Sequence, residues 1–196
     1  MIVGIAGRIG SGKDTAAQVL VREHGFRVFR FSAALKREVF GLLRRTLEAY
    51  ASDRYPIVWD SLDPDGRLSF VWKLLTEQRD NVTRALLQEY GTQIRRGDDK
   101  DYWVGRWREE VEASGALRVV VPDVRFPNEA GAIRGMGGKL IRLIRPNAPP
   151  VASHESETSL DGWTDWDETV GNDRGTEVLQ ERIRQIAVRW GLEHVA

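Results

Sequence analysis

An opening strand–loop–helix pattern constrains this chain more than any other feature. The apolar run Ile2–Ala6 leads directly into Gly7-Arg8-Ile9-Gly10-Ser11-Gly12-Lys13-Asp14-Thr15, and a helical pattern begins at Lys13. Glycines at 7, 10 and 12 let the backbone bend so that successive N–H groups point at one anion. The helix behind them adds unpaired N–H groups and the positive end of its dipole. Lys13 can then reach the outer phosphates of a nucleotide. The pattern G-x-x-x-x-G-K-[ST] fits from Gly7 to Lys13, but Asp14 stands where a metal-binding hydroxyl usually sits, and the hydroxyl is delayed to Thr15. Asp14 is expected to hold Mg2+ through water or to orient that water, and Thr15 to hydrogen-bond an inner phosphate. The chain reads as a binder of a nucleoside triphosphate, with a bare glycine-rich turn as the competing interpretation.

Size and charge narrow the setting. The 196 residues suit one domain carrying an excursion at 51–80. Basic and acidic side chains both number 29, so no global field draws the chain onto nucleic acid or an anionic membrane. The absence of cysteine removes disulfides, thiolate metal sites and cysteine nucleophiles, and fits a reducing cytoplasm. No apolar run approaches a membrane span, and the short N-terminal run leads into the loop rather than resembling a signal peptide.

Strand-like runs at Ile2–Ala6, 26–31, 117–121 and Lys139–Ile144, with a weaker one at Glu168–Gly171, alternate with helical patterns. Such alternation predicts a parallel sheet with right-handed crossovers, whose ligands bind beyond the carboxyl ends of the strands. Ser32 reads as the N-cap of a helix over 33–49 with Leu35, Val39, Leu42 and Leu43 on one face. Gly91 reads as the C-cap of a helix over 81–90. Further helices are expected over 103–113, 128–134 and 176–190. Residues 51–80 read as polar and irregular, and 146–167 as a mobile flap. Trp103 and Trp107, four apart, fit a helix core.

A second chemical site follows the strand at 117–121. Asp123 near a central strand end suits the orientation of Mg2+ and its waters, and Arg125 faces the same cleft, where it could grip a phosphate bidentately. The bland alternative is a helix N-terminal box in which Asp123 and Glu129 satisfy backbone donors.

Taken in order, Gly10-Ser11-Gly12-Lys13-Asp14-Thr15, Phe31-Ser32-Ala33-Ala34-Leu35-Lys36, Leu87-Gln88-Glu89-Tyr90-Gly91-Thr92, Trp103-Val104, Asp123 through Glu129 and Gly171-Asn172-Asp173 resemble the phage-type deoxynucleoside monophosphate kinases. The resemblance spans nearly the whole chain except 51–80. It implies a three-layer P-loop kinase fold of class α/β, with a parallel five-stranded sheet and a mobile lid. It implies transfer of the ATP γ-phosphoryl group, with Mg2+, to a deoxynucleoside monophosphate. Arg8 and Gly10, Ser11, Gly12, Lys13, Asp14 and Thr15 would hold the donor phosphates, and Asn172 and Asp173 would lie against the donor adenine. Ser32, Leu35, Lys36, Gly91, Thr92, Arg95 and Arg96 would line the acceptor pocket. Arg125 would bridge both phosphates, Lys13 and Arg125 would carry the catalysis with Asp123, and Asp14 with Asp123 would place the metal through water. Either Arg142 or Arg145 could turn inward beside the flap.

Without that resemblance, Lys36 fits a solvated helix residue, and Arg95 and Arg96 fit a surface cluster screened by Asp98, Asp99 and Asp101. His154 gains no role. Another small-molecule P-loop kinase, of the dephospho-coenzyme A or phosphomevalonate type, is the nearest rival. A nucleotide-dependent switch or assembly ATPase is a more distant one, since no second acid stands beside Asp123. The expected partner is a small nucleotide rather than nucleic acid or membrane. A homodimer stays open, and a phage-encoded chain would work in the host cytoplasm.

Overall fold

The computed structural model describes residues 1–78, 81–146 and 155–195. Its elements in chain order are β1 (Ile2–Ala6), α1 (Lys13–His24), β2 (Arg27–Val28), α2 (Phe31–Arg54), α3 (Pro56–Asp60), α4 (Pro64–Lys73), α5 (Asn81–Gln88), α6 (Arg96–Asp98), α7 (Tyr102–Ala113), β3 (Val119–Val124), α8 (Pro127–Gly135), β4 (Lys139–Ile144), α9 (Glu155–Thr158), β5 (Glu168–Gly171) and α10 (Thr176–Arg189). Two π-helical stretches, Leu74–Gln78 and Glu89–Arg95, follow α4 and α5. The chain divides into two compact units: Met1–Phe31 with Val104–Ala196, and Ser32–Trp103.

The first unit carries a five-stranded parallel sheet in the order β2-β3-β1-β4-β5. Side chains alternate across a strand, and both faces of this sheet are covered. Val3, Ile5, Val120, Ile141 and Leu143 pack with Ala16 and Leu20 of α1 and Leu179 and Ile183 of α10. Ile2, Ala6, Val119, Val121 and Leu140 pack on the other face with Trp107 of α7 and Ile133 of α8. Helices on both faces make the three-layer α/β fold expected of a P-loop kinase. Because β1 is central, the loop after it emerges where strand order reverses, between β3 and β4.

The second unit is helical, which corrects the reading of 51–80 as irregular. Val39, Leu47 and Ala51 of α2 pack with Val71, Leu74, Leu75 and Leu87. Pro56 and Pro64 sit in the first turns of α3 and α4, where a missing N–H costs no helical bond. Asp63 caps α4, its Oδ1 accepting from the Gly66 N–H at 2.7 Å. Residues that read as turn signals are helix starts. Trp59 lies under the Arg67 guanidinium, and Trp72 meets Phe40 edge-on at 5.2 Å.

Other boundaries moved. β2 is two residues long rather than six, and α2 begins at Phe31, so Ser32 lies inside the helix instead of capping it. Leu42 is 61% exposed and falls outside the buried stripe of α2. β3 starts at Val119, leaving Leu117 exposed, and extends through Asp123. Gly91 does not end a helix, because the helical path continues through it as a π stretch. A Cβ there would lie 2.8 Å from Leu35 Cδ2, so Gly91 serves a close approach between helices. Of the expected flap, 155–158 form α9, while 147–154, including His154, lie outside the described residues. Among the described residues no helix is long and apolar enough to cross a membrane.

Candidate active site

The loop between β1 and α1 adopts the backbone that its glycines permit, with φ of 149° at Gly7, 75° at Gly10 and 98° at Gly12. At Gly12 a side chain would be both strained and blocked, since a Cβ would lie 2.6 Å from Leu179 and 2.7 Å from Asn172. Asn172 braces the loop from below, its Nδ2 donating to the Ser11 carbonyl at 3.0 Å. That contact ties the 172–173 motif to the loop backbone. Asp173 instead pairs with Arg182 at 3.0 Å and lines a separate cavity beside β5.

Lys13 is buried, with its ammonium donating to the carbonyls of Gly7 at 2.5 Å and Arg8 at 2.8 Å. Its pKa is lowered to about 8, first by burial and then by the nearby Arg125 charge, while Glu157, Asp14 and Asp123 pull the other way. A lysine so desolvated is poised to gain from an incoming polyanion.

A cavity of about 280 Å³ opens beside the loop, with Arg8, Ser11, Arg125, Arg142, Arg145 and Glu157 in its wall. Arg145 reaches the Gly10 carbonyl at 3.0 Å, and Arg142 lies over the Trp166 ring. Both arginines thus line this cavity. Arg8 pairs with Asp161 at 3.0 Å. Among the described residues the buried Ser11 hydroxyl has no hydrogen-bond partner. A buried unsatisfied hydroxyl beside several cations is the signature of a site built for an anionic, hydrogen-bonding ligand.

Glu157, a residue of α9, was not singled out by its sequence context. Its carboxylate accepts from the Ile9 N–H of the loop at 2.8 Å and pairs with Arg125, and its side chain is only 8% exposed. Burial pushes its pKa up, but the Arg125 charge and hydrogen bond, the Ile9 N–H and Lys13 outweigh that and hold it below the ordinary value. No motif announces Glu157. Its importance comes from what the fold places opposite it.

Asp123 and Glu129 do satisfy backbone donors, as the bland reading had it. Asp123 Oδ1 accepts from the Phe31 N–H at 3.1 Å, supplying the cap of α2 that Ser32 does not. Glu129 is buried, and its Oε2 accepts from the N–H groups of Arg125 and Phe126 at 2.7 and 3.1 Å, which fixes the backbone of Arg125. Asp14 is 75% exposed and pairs with Arg30 at 2.5 Å. Thr15, next along α1, is half-buried. Among the described residues no group of three or more His, Asp or Glu side chains could hold a metal by itself. Asp14 and Asp123 are nonetheless oxygen donors of the kind suited to Mg2+, which is usually held by one or two carboxylates together with substrate phosphates and water.

The residues expected to line an acceptor pocket fall in the second unit. Leu35 and Gly91 touch, and the Trp103 indole donates to the Gly91 carbonyl at 3.0 Å. Thr92 sits beside Gly91 in the π stretch, and Ser32 is half-buried in the first turn of α2. Lys36 is buried rather than a solvated helix residue. Arg95 is not screened by the neighbouring aspartates. It pairs with Glu38, which also accepts from the Tyr90 and Tyr102 hydroxyls at 2.7 and 2.8 Å. Both tyrosine rings lie under the Arg95 guanidinium. Burial pushes the Glu38 pKa up, but these three donors overcome that and hold it low. Arg96 reaches the Lys100 carbonyl at 3.4 Å.

Residues 67–183 match the sequence family described as deoxynucleotide monophosphate kinase. A protein of Acanthamoeba polyphaga mimivirus, provisionally named deoxynucleotide monophosphate kinase, is 30% identical over 193 residues, covering 93% of this chain and 94% of the relative. The deoxynucleotide monophosphate kinase of Enterobacteria phage T4 is 27% identical over 162 residues, covering 76% of this chain and 66% of that enzyme. Among solved structures, the shikimate kinase of Aquifex aeolicus aligns over 98% of this chain and 99% of its own at a TM-score of 0.43 and 11% identity, a likeness too loose to bear on substrate.

Proposed function

The chain belongs to the deoxynucleotide monophosphate kinase family, a group of phosphotransferases, and from that membership we propose that the cavity beside Lys13 is where ATP presents its γ-phosphoryl group. One observation carries this reading: Arg125 and a serine hydroxyl with no hydrogen-bond partner among the described residues line a single cavity at the carboxyl end of a parallel sheet, and the buried Lys13 bonds the carbonyls of Gly7 and Arg8, which line it too. In the transfer, an oxygen of the acceptor monophosphate forms a bond to the γ-phosphorus as the bond to the β,γ-bridging oxygen breaks, leaving ADP and a deoxynucleoside diphosphate. The acceptor oxygen is already anionic at neutral pH, so no general base is needed. What the chain must supply is alignment and positive charge.

Arg8, the backbone of Gly10 through Thr15, and Lys13 would hold the donor phosphates. Arg125 would span donor and acceptor phosphates, with its backbone fixed by Glu129. Asn172 serves the donor site through the loop it braces, and Asp173 is assigned to the adenine end. Ser32, Leu35, Lys36, Gly91, Thr92, Arg95 and Arg96 are assigned to the acceptor. When bound with ATP, Mg2+ supplies further charge neutralisation, and Asp14 and Asp123 would hold it through water. The partner is a small nucleotide rather than nucleic acid, and the working compartment is host cytoplasm, a reading supported by the viral origin of the relatives.

An acceptor screen tests the whole assignment. Purified protein with Mg-ATP is offered dAMP, dGMP, dCMP, dTMP and their ribo counterparts, and diphosphate formation is followed by chromatography. Conversion of at least one deoxynucleotide is expected. Conversion of none, with ATP consumed regardless of acceptor, would favour the ATPase reading instead.

A further inference from the structure

The position for the outermost phosphate already has an anionic ligand from the chain itself. Ile9 belongs to the outer part of the loop, Lys13 is the residue that reaches outer phosphates, and Arg125 faces the same space. Glu157 touches two of these, bonding the Ile9 N–H and the Arg125 guanidinium, and lies close enough to Lys13 to raise its pKa. A carboxylate and a terminal phosphate make the same demands, two or three N–H donors and a nearby cation. One set of donors cannot serve both at once.

We propose that Glu157 is an internal stand-in for the γ-phosphate, so that the donor site selects nucleotides whose phosphate chain is long enough to displace it. This rests on the donor-site reading above and deepens it. ATP exchanges one anion for another at Ile9 and Arg125, and so loses no more than the carboxylate gave up. ADP, whose chain stops one phosphate short, leaves Glu157 in place. After transfer, the outer position is empty of phosphate and the carboxylate can return, so the cations are never left uncompensated in a buried wall. The site thereby distinguishes its donor from its own product.

The contacts come from two directions. Ser156 lends its carbonyl to Arg125 at 3.3 Å beside the Glu157 contact, so α9 is attached to the arginine at two adjacent points. Arg8 and Asp161 add a more exposed pair between the loop and the segment after α9. Glu157 bonds both the loop and Arg125, while of the other two carboxylates near Lys13 Asp14 pairs with Arg30 and Asp123 accepts from Phe31.

Calorimetry with Mg-ATP and Mg-ADP on the native protein, Glu157→Gln and Glu157→Ala tests the proposal. ATP affinity should rise roughly tenfold in both variants, the scale of one charge-assisted hydrogen bond freed from competition. ADP affinity should change little. Thermal melts establish that each variant is folded, and the glutamine, which keeps the shape, guards against collapse of α9. An equal change for both nucleotides, or weaker ATP binding in the glutamine variant, overturns the proposal. Native protein that binds neither nucleotide sinks the donor-site reading and this inference together. Native protein that binds ATP while the variants gain nothing selectively sinks the inference alone.

Discussion

The two units each hold a glutamate paired with an arginine, and the pairs are built for opposite ends. Glu38 is saturated: it accepts from two tyrosine hydroxyls and from Arg95, whose guanidinium is covered by both rings. Glu157 has a loop N–H and one arginine, and the wall around it carries more cations than it can satisfy. A carboxylate surrounded by neutral donors and one counter-ion fixes a local structure. The same carboxylate set among surplus cations and a desolvated lysine occupies a place where a stronger anion can compete. Chemistry at such a pair is decided by its surroundings, not by the pair.

The most severe test of that contrast is removal of Lys13. Lys13→Ala should abolish phosphoryl transfer while the melt stays cooperative, because the proposed transfer needs its charge and its folded-state burial is costly. Coupled-assay turnover with saturating ATP measures it, and substantial residual transfer would move the donor site elsewhere. Arg125→Ala comes next, with turnover falling by roughly 10³–10⁵, the range associated with arginines that stabilise transferring phosphoryl groups. A mild loss would reduce Arg125 to a structural partner of Glu157.

The titration of Lys13 gives a smaller effect with two opposed signs. Its pKa is about 8 in the fold against an ordinary 10.5. Below about pH 8 it is charged in both folded and unfolded chains, and the fold bears the desolvation cost. Between these values the unfolded chain binds more protons, so its contribution to stability improves as pH rises. Binding moves the other way, and kcat/KM for ATP should fall above about pH 8 as the cation is lost. In Glu157→Gln that break should shift to lower pH, since this carboxylate is among the charges that raise the lysine. A pH-rate profile beside a pH series of melts separates the two signs. The smallest effect belongs to the saturated pair. Glu38→Gln should cost about 1–3 kcal/mol of stability, the scale of weakened bonds to a charged group, and leave KM for ATP unchanged. Denaturant unfolding with ATP kinetics checks this, and a shift in ATP KM would break the contrast.

Legibility in the sequence followed the range of the interaction. β1 and β5 were read with their observed limits, and β4 also, because strand identity there rests on local alternation and β-branched content. Residues 51–80 were misread, because Pro56, Asp63 and Pro64 signal a turn and a helix start with the same letters. Gly91 looked like a helix end, yet what requires glycine there is Leu35, fifty-six positions earlier in the chain. In the candidate site, the positions of Lys13 in the loop and Arg125 beyond β3 follow from motif and strand context. Those of Glu157 and Glu38 do not, as neither sits at a spacing that carries chemistry.

The sequence by itself determined the backbone cradle. Three glycines, a lysine and the start of a helix lie within nine consecutive residues, where geometry is set by local φ and by helix-end N–H groups, independent of distant partners. Only the tertiary structure decided which acid bonds that cradle and which bonds the start of a helix. Asp123 and Glu157 are chemically alike along the chain, and their roles separate only when the fold brings Phe31 and Ile9 to them, because electrostatic partnership depends on distance in space and on exclusion of water.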